Sequence, residues 1–479
     1  MRNSIIYNSV YNIASKGFNV LYPMITSAYI SRIFHADGVG LLMYAINIVT
    51  YFSLAASLGV PNYAVKVLSP LKKSPSKLNK CFSEIAYIIA FSSIFFSVVY
   101  YFLIEMIFSN SIQLYHAGVV LGLIIITNIT NYDWLFESME DYKYLAIRSI
   151  IVKCLLLTLM FVIVKTRDDL VNYCFIYSGI SVFNNFWNLF SFHKYVSFSF
   201  HNIHLGRHIK PILILFAAAF ATEIYTLLDS TMLGIMCPSA CLGYYSNSSR
   251  VVRATYGVLF AIIAVFNPRL CNYYGSGKLN LYKSLFQKYY DLGILISFPA
   301  ACFLFCASDY IIGLLFGPGF EPAILNLKIL SVLIIVFTMA TIFGHIPLII
   351  YGKEKELLFS TIIGACVNFC LNQCLIPVLQ HNGAAIASVI SELLVTSIMI
   401  YFSIKIVRVS FFANHDFKVV FLATVLMFIV GCCSSLFLKF DNKFLMILLI
   451  GSLSFFSYFL VLVFMNHSLV KRLVFRKHY

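Results

Sequence analysis

Apolar residues fill the chain in segments of membrane-spanning length, separated by short polar stretches. A hydrocarbon core about 30 Å thick is crossed by about 20 helical residues. The pattern therefore predicts an all-α integral membrane protein. Fourteen transmembrane helices are predicted, at 6–30, 39–60, 82–104, 114–136, 149–164, 171–192, 211–236, 242–267, 289–308, 323–351, 358–378, 384–405, 419–438 and 443–465. The tenth is expected to kink near Gly344 and Pro347, because proline removes a backbone hydrogen bond.

Two stretches of the chain show weak similarity at an offset of 203 residues. Residues 40–44 align with residues 243–247, and Val60-Pro61-Asn62 aligns with Val265-Phe266-Asn267 at almost the same offset. A separation of six helices keeps both halves in the same membrane orientation, as in transporters built from parallel repeats. We predict a six-helix lobe over 1–200 and a second over 201–410. Residues 411–479 would add two further helices and a basic cytoplasmic tail.

Composition excludes a soluble globular protein. Hydrophobic residues make up 61% of the chain and charged residues 11%, against about 25% charged in a soluble domain. The predicted loops are all short, so no separate catalytic domain is expected on either side. The first segment has no small-residue cleavage site and is predicted to be a retained helix, not a signal peptide.

Lysine and arginine predict the orientation. The connecting segments on the N-terminal side carry 25 of the 34 basic residues, counting Arg148 and Lys153, and those on the other side carry six. Because short cytoplasmic loops hold the excess of positive charge, both termini are predicted to be cytoplasmic. The net charge of +15 is distributed as insertion requires, so it does not indicate nucleic-acid binding.

The 13 cysteines lie mostly singly within apolar runs. Cys237 and Cys241, and the adjacent Cys432 and Cys433, lack the paired spacing of a zinc site. We therefore predict no metal, no cofactor and no disulfide framework.

Three cations interrupt apolar segments: Lys16, Arg250 and Arg253. A basic side chain at the centre of a membrane helix costs roughly 2.5–3.5 kcal/mol, so its presence there normally indicates a polar cavity and a function. Ser246, Arg250, Arg253 and Gly257 follow one another at spacings of four, three and four, which places them on one helix face.

The preceding helix carries a polar face of its own, with Glu223, Thr226 and Ser230 at helical spacing and Asp229 beside them. Glu223 is expected about 18 Å along the axis from the inner end of its helix, and Arg253 about 15 Å from the outer end of the next helix. The two charges are therefore expected at similar depth. Two interpretations are open. Glu223 and Arg253 could form a buried pair that serves packing, or the two helices could present a net-positive cavity face between the halves.

Lys16 could belong to the same face through the stripe Asn12, Lys16, Asn19 and Pro23. If the first helix started at Gly17, the Lys16 ammonium would instead lie at the membrane interface.

Further polar groups lie within predicted helices. Tyr44, Asn47 and Tyr51 form a polar face on the second helix, for which interhelical hydrogen bonding is the favoured interpretation. The same interpretation is favoured for Ser388, Glu392 and Thr396 and for Asn368 with Asn372. Glu392 could alternatively carry a coupling proton.

A cavity lined by cations suits phosphate or pyrophosphate, to which arginine offers a planar pair of donors and lysine a point charge. It suits an organic cation badly.

Three stretches resemble a known family. They are 23–32 with Asp37-Gly38-Val39-Gly40, Asp133-Trp134-Leu135-Phe136-Glu137 continuing through 140–143 to Arg148, and 352–355 with Asn368, Asn372, 383–387 and Glu392. Over roughly 5–405 the chain resembles Wzx-type polysaccharide flippases, the O-antigen and capsule translocases of the multidrug/oligosaccharidyl-lipid/polysaccharide exporter superfamily. His35 and the pair Glu137-Ser138 depart from the family's usual pattern.

The resemblance implies a transporter, not an enzyme. It would move undecaprenyl-pyrophosphate-linked oligosaccharide from the cytoplasmic to the periplasmic leaflet of the bacterial inner membrane, for O-antigen and lipopolysaccharide biosynthesis. It also implies a V-shaped cavity lined by helices 1, 2, 7 and 8. The residues expected there are Lys16, Asn47, Glu223, Arg250 and Arg253. Ion coupling or charge pairing would fall to Glu223, Asp229 and Glu392.

The expected partners are the lipid-linked glycan, the bilayer and the polysaccharide polymerase with its chain-length machinery, without nucleic acid. Two other functions remain open. A multidrug exporter of the same superfamily would use Glu223, Asp229 and Glu392 for cationic drugs, and a membrane polymerase would need a large outer loop that this chain does not show.

Overall fold

A computed structural model describes residues 2–109, 111–199, 203–407, 415–438 and 440–474, excluding the side chains of 2–17, 19, 20, 218 and 472–474. Throughout these ranges the regular structure is helical and no strand occurs, which confirms the predicted all-α fold class. The long helices are α1 (2–34), α2 (36–57), α3 (Pro75–Ile107), α4 (Ile112–Thr130), α5 (Tyr142–Ile163), α6 (Leu170–Ser191), α7 (Gly206–Met236), α8 (Ser239–Ile263), α9 (Leu279–Cys306), α10 (Pro322–Ile350), α11 (354–379), α12 (381–407), α13 (His415–Phe437) and α14 (Lys443–Phe464).

In the described part of the chain, eleven helical stretches are long and apolar enough to cross a membrane. Two of these stretches each contain a break, at His35 (φ 54°, ψ −173°) and at Gln380 (φ 51°, ψ −130°). A left-handed φ cannot continue an α-helix, so α1 and α2, and α11 and α12, are separate helices. The protein is therefore a multi-pass membrane protein, and the count of fourteen spans stays a prediction.

The predicted kink in α10 is present as a π-helical turn at Thr341–His345, just before Pro347. Proline has no backbone N–H, so the carbonyl of Phe343, four residues earlier, lacks its helical donor. The Ser403 hydroxyl of α12 donates to that carbonyl instead. A Cβ at Gly344 would collide with the Met399 side chain, so α10 and α12 pack closely at the distortion.

The predicted start of the fifth helix at 149 is wrong. The helix begins at Tyr142, after the Asp141 side chain accepts a hydrogen bond from the Tyr144 N–H and caps it. Arg148 is consequently a helical residue and not a loop residue. Lys153, which was counted with the inner loops although it falls within the predicted helix 149–164, is helical as well. Without these two residues the inner loops still carry more lysine and arginine than the outer loops.

The chain divides into two compact units. The first contains Met1–Thr26 and Ile33–Ile235, and the second contains Ser27–Arg32 and Met236–Tyr479. The lobes predicted at 1–200 and 201–410 stay a prediction about domains.

The first unit is built around an aromatic cluster. The ring of Phe82 in α3 lies 5.3 Å from Tyr132, 5.5 Å from Trp134 and 5.8 Å from Phe192, measured between ring centroids. Trp134 is fully buried there. The helix Asp133–Ser138 is thereby fixed against α3 by apolar burial, a large stabilising term for aromatic side chains.

In the second unit, α13 and α14 pack on α9. The Tyr458 hydroxyl of α14 donates to the Leu295 carbonyl of α9 at 2.9 Å. A Cβ at Gly431 of α13 would lie 2.8 Å from the Cys306 sulfur. The last two long helices are therefore packed parts of this unit.

Candidate functional site

The helix α8 has one polar face that its own unit leaves open. Ser246, Arg250 and Gly257 are half-buried and Arg253 is exposed. The buried residues of α8 lie on other faces: Cys241, Leu242, Gly243, Tyr245, Asn247, Ser248, Val251, Val252 and Ile263. The predicted stripe is therefore a single face, which is exposed at Arg253 and half-buried at its other three positions.

The other faces of α8 are fixed by buried polar contacts. Asn247 accepts a hydrogen bond from the Ser27 hydroxyl at 2.9 Å and donates to the Ser31 hydroxyl at 2.8 Å. The Ser248 hydroxyl donates to the Ala323 carbonyl at 3.0 Å. Buried, satisfied hydrogen bonds define the rotation of a helix about its axis, so they hold the arginines in one direction.

The guanidinium of Arg253 makes a local contact, donating from Nε to the Ser249 hydroxyl at 3.3 Å, one turn earlier. Its terminal nitrogens remain accessible on an exposed side chain. Two arginines one turn apart offer several N–H donors in planar sets, the geometry that suits a phosphate or pyrophosphate.

In the first unit, Glu223 of α7 faces the polar side of α2. It is half-buried and interacts electrostatically with Tyr51. The Tyr51 hydroxyl lies 2.8 Å from that of Thr231, and a Cβ at Gly234 would collide with the ring of Tyr44. Interhelical packing thus accounts for both tyrosines of the predicted polar face.

Asn47, between those tyrosines on α2, is buried with 6% exposure. Among the described residues its side-chain nitrogen has no hydrogen-bond partner. A buried amide without a partner is costly, which makes Asn47 a candidate for contact with a polar ligand. Asp229 of α7 is also buried, with 8% exposure.

The polar residues of α11 and α12 mainly join these two helices. Asn368 donates to the Ser391 hydroxyl at 3.2 Å, and Asn372 donates to Asn368 at 3.1 Å. The first of these bonds joins α11 to α12, as the favoured interpretation expects, and the second lies within α11. Glu392 is half-buried and interacts electrostatically with Tyr256 of α8.

Lys16 falls in α1, which begins at Arg2 and not at Gly17. Whether Lys16 lies at the membrane interface or deeper stays a prediction. The Lys16 side chain lies outside the described residues. Its assignment to the cavity face stays a prediction.

The segment that carries the family resemblance forms an ion pair in which Arg148 is buried and the Asp133 side chain is 41% exposed. Arg148 of α5 donates to both oxygens of Asp133 at 2.8 and 2.9 Å. Asn188 of α6 donates to Asp133 at 2.9 Å and accepts from Arg148. Arg148 is 3% exposed. The triad joins three helical segments of the first unit, and it was missed because the pairing is not local in sequence.

Beside the triad is a surface cavity of about 250 Å³, lined by Asp141, Lys143, Tyr144, Ile147, Arg148, Trp187 and Lys194. Asp141 accepts hydrogen bonds from Tyr195 at 2.7 Å and Lys194 at 3.0 Å. Burial by itself would raise the pKa of Asp141, but these hydrogen bonds and the one from Tyr144 outweigh it and hold the pKa below its ordinary value.

A second buried carboxylate, Glu84 of α3, was also missed. It accepts hydrogen bonds from Arg207 and from the His204 backbone N–H, the latter at 2.8 Å, and lies 2.9 Å from His208. The other ring nitrogen of His208 is 2.7 Å from the Tyr63 hydroxyl. This network attaches the start of α7 to α3, so we interpret it as structural.

In the ranges that the structure describes, no group of three or more His, Cys, Asp or Glu side chains is placed to hold a metal ion. The prediction of neither metal nor cofactor stays a prediction.

Long apolar helices, breaks between paired helices and arginines within a span define a multi-pass membrane protein of the transporter type. The structure is similar to one titled "Lipid II flippase MurJ, inward closed conformation", with a TM-score of 0.75 and 18% identity over 97% of this chain and 100% of that chain. It is also similar to an inward-facing multidrug resistance MATE family transporter of the MOP superfamily, with a TM-score of 0.62 and 11% identity over 83% of this chain and 98% of that one. At these identities the likeness shows the fold.

The chain belongs to the polysaccharide biosynthesis protein family, whose model matches residues 5–273. A protein of Escherichia coli (strain K12) that is provisionally named an O-antigen transporter is 23% identical over 417 residues, which are 84% of this chain and 96% of that protein. These findings confirm the predicted resemblance to the polysaccharide transporters of the exporter superfamily.

Proposed function

We propose that the protein is a flippase that moves undecaprenyl-pyrophosphate-linked oligosaccharide from the cytoplasmic to the periplasmic leaflet. The observation that carries the proposal is the arginine face of α8, on which Arg253 is exposed and Arg250 half-buried. Cations retained within a membrane span indicate a polar pathway. Family membership and the flippase fold make a lipid-linked glycan the substrate that fits best.

In this proposal Arg250 and Arg253 hold the pyrophosphate, with Lys16 joining them from α1. Asn47 contacts polar groups of the glycan, while the isoprenoid tail stays in lipid. Glu223, Asp229 and Glu392 serve ion coupling or charge pairing. Rocking of two lobes about a cationic cavity changes which leaflet is open, as in other transporters with repeated halves.

The setting follows from the same proposal. The protein lies in the bacterial inner membrane with both termini in the cytoplasm, since the inner loops carry the excess of lysine and arginine. Its partners are the lipid-linked glycan and the bilayer, with polymerase and chain-length machinery acting on the delivered units. Nucleic acid is not a partner.

The test is charge reversal of the arginine face. In a strain whose own gene is deleted, Arg250→Glu with Arg253→Glu is expected to reduce surface O-antigen at least about tenfold at normal protein level, because each charge-assisted hydrogen bond contributes about 1.5–3 kcal/mol. Lys278→Glu with Lys283→Glu makes the same change of charge at exposed positions of the second unit. This control should export normally. Unchanged O-antigen in the arginine variant would contradict the proposal.

A multidrug exporter is the second candidate, favoured by the MATE-like fold and by the half-buried Glu223. It predicts that deletion of the gene raises susceptibility to cationic dyes and leaves O-antigen intact. The flippase predicts the opposite pair of results.

A further inference from the structure

The cavity of about 250 Å³ beside Arg148 lies where α5 begins and α6 ends. Its lining residues on α5 fall within six residues of the first residue of that helix, Tyr142. On α6, Trp187 lies four residues before the last residue, Ser191. Six residues of helix are about 9 Å long. The cavity is therefore at the ends of these two helices, on the side predicted to be cytoplasmic.

Cations outnumber carboxylates in the lining of this cavity, where Lys143, Arg148 and Lys194 lie with Asp141. Arg148 is buried and paired with Asp133, whereas Lys143 is exposed and the Lys194 side chain is 64% exposed. The Lys194 ammonium donates to Asp141 at 3.0 Å. An ammonium has three donors, so a lysine that already contacts one acceptor can also bind a phosphate oxygen. The lining therefore suits an anion that the two lysines contact.

Exposed apolar side chains continue from the cavity along both helices. Ile147, which lines the cavity, is followed on α5 by Ile151 and Leu155, and the three are 39%, 48% and 51% exposed. On α6, Trp187 and Phe183 are 40% and 48% exposed. A spacing of four places residues on one helix face. A polar cavity that opens onto apolar faces matches a lipid, with a charged headgroup and apolar chains, whereas a free anion would use the polar part alone.

We propose that this cavity binds the headgroup phosphate of an anionic phospholipid, whose acyl chains lie along the apolar faces of α5 and α6. Lys143 and Lys194 contact the phosphate, and Trp187 lies at the headgroup level, where tryptophan is enriched in membrane proteins. Basic pockets between membrane helices bind such headgroups.

The size of the cavity also favours a headgroup. Its volume of about 250 Å³ is below the roughly 300–1,000 Å³ of pockets for drug-sized ligands, so a headgroup fits it better than an oligosaccharide. The site uses no residue of the arginine face of α8. The inference therefore does not depend on the proposed function.

Trp187 provides a reporter for this site. The chain has two tryptophans; Trp134 is fully buried, whereas Trp187 lines the cavity and is 40% exposed. Bromine atoms on a lipid chain quench the fluorescence of a tryptophan that they contact. The full-length protein is placed in nanodiscs of phosphatidylcholine, in which a rising fraction is replaced by brominated phosphatidylglycerol or, for comparison, by brominated phosphatidylcholine.

Brominated phosphatidylglycerol is expected to reach half of the quenching at about a tenfold lower fraction than brominated phosphatidylcholine, because two lysines attract the anionic lipid. Lys143→Gln with Lys194→Gln should remove this difference. Lys278→Gln with Lys283→Gln is the matched control, since it removes two exposed lysines of the second unit, and it should behave like the parent. Trp187→Phe should lose the difference, because it removes the reporter.

Competition decides where the phosphate comes from. Soluble glycerol 3-phosphate is expected to leave the quenching by phosphatidylglycerol unchanged, since it lacks acyl chains. Reversal of the quenching would show a site for free phosphate and would contradict a lipid site. Undecaprenyl pyrophosphate is expected to compete no better than unlabelled phosphatidylglycerol. Much stronger competition would assign the cavity to a transported lipid and overturn the inference.

Two further results would overturn it. One is equal quenching of the parent by the two brominated lipids, and the other is a folded double-lysine variant that keeps the difference between them. If the double variant fails to fold, Lys143→Gln alone is measured, because it keeps the ion pair of Lys194 with Asp141. This single variant should reduce the difference about threefold or more, and an unchanged difference would reject the site.

Discussion

Single residues show how charge is used in two ways in this protein. Arg148 is buried and paired with Asp133 and Asn188, whereas Arg253 is exposed with a hydroxyl one turn away. A buried ion pair mainly prevents the cost of leaving either partner alone. An exposed guanidinium within a membrane helix has its donors free for another anion. The first arrangement is therefore structural and the second fits a ligand.

The Asp133 to Arg148 pair can be tested directly. Asp133→Asn removes the compensating charge of a buried guanidinium and should destabilise the protein by about 1–3 kcal/mol. The same substitution made together with Arg148→Met should cost less than the sum of the two single substitutions. Thermal unfolding in detergent measures both. Asp168→Asn, at an exposed position, is the control, and additive effects of the pair would contradict the geometry.

The Asp141 carboxylate predicts a pH dependence. Its hydrogen bonds hold its pKa below the ordinary value, so its contribution to stability is present above the unfolded pKa of about 3.9. That contribution is lost as the pH falls through the lower folded pKa. The difference in melting temperature between the parent and Asp141→Asn should therefore be constant near neutrality and shrink below about pH 4. A difference that grows on acidification would contradict this assignment.

At the scale of helices, the sequence pattern located most of the long apolar segments, and the breaks at His35 and Gln380 fall in the predicted connections 31–38 and 379–383. It did not locate every helix end. The turn at Thr341–His345 was foreseen because proline acts locally. The start of α5 was not, because its first turns carry Lys143 and Arg148 and look like a loop. The pairing that buries Arg148 depends on Asp133 and Asn188, which are distant in sequence, so no local pattern reveals it.

The repair of the α10 backbone gives a prediction at this scale. Ser403→Ala should remove the hydroxyl that donates to the Phe343 carbonyl and cost about 0.5–1.5 kcal/mol of stability. Pro347→Ala restores a backbone N–H at the position that would serve this carbonyl. In the Pro347→Ala background the cost of Ser403→Ala should accordingly fall. Thermal unfolding of the parent, the two single variants and the double variant measures the cost of Ser403→Ala in each background. An equal cost in both backgrounds would contradict this role of the Ser403 hydroxyl.

At the scale of the whole molecule, composition and the length of the apolar segments were sufficient for the fold class, since an apolar run of about 20 residues crosses the hydrocarbon core as a helix that satisfies its own backbone hydrogen bonds. The spacing of Ser246, Arg250, Arg253 and Gly257 was sufficient to place them on one face. The pattern could not show which face of each helix is buried within its unit. That depends on contacts such as those of Asn247 with Ser27 and Ser31, between residues far apart in the chain.

The most direct test of the central claim is lipid translocation by the purified protein. Proteoliposomes would carry undecaprenyl-pyrophosphate-linked oligosaccharide, and a glycosidase added outside would report the fraction of glycan that reaches the outer leaflet. The parent protein is expected to make the inner pool accessible, and Arg250→Glu with Arg253→Glu is expected to leave it protected. Equal accessibility with both proteins, or none with the parent, would contradict the account.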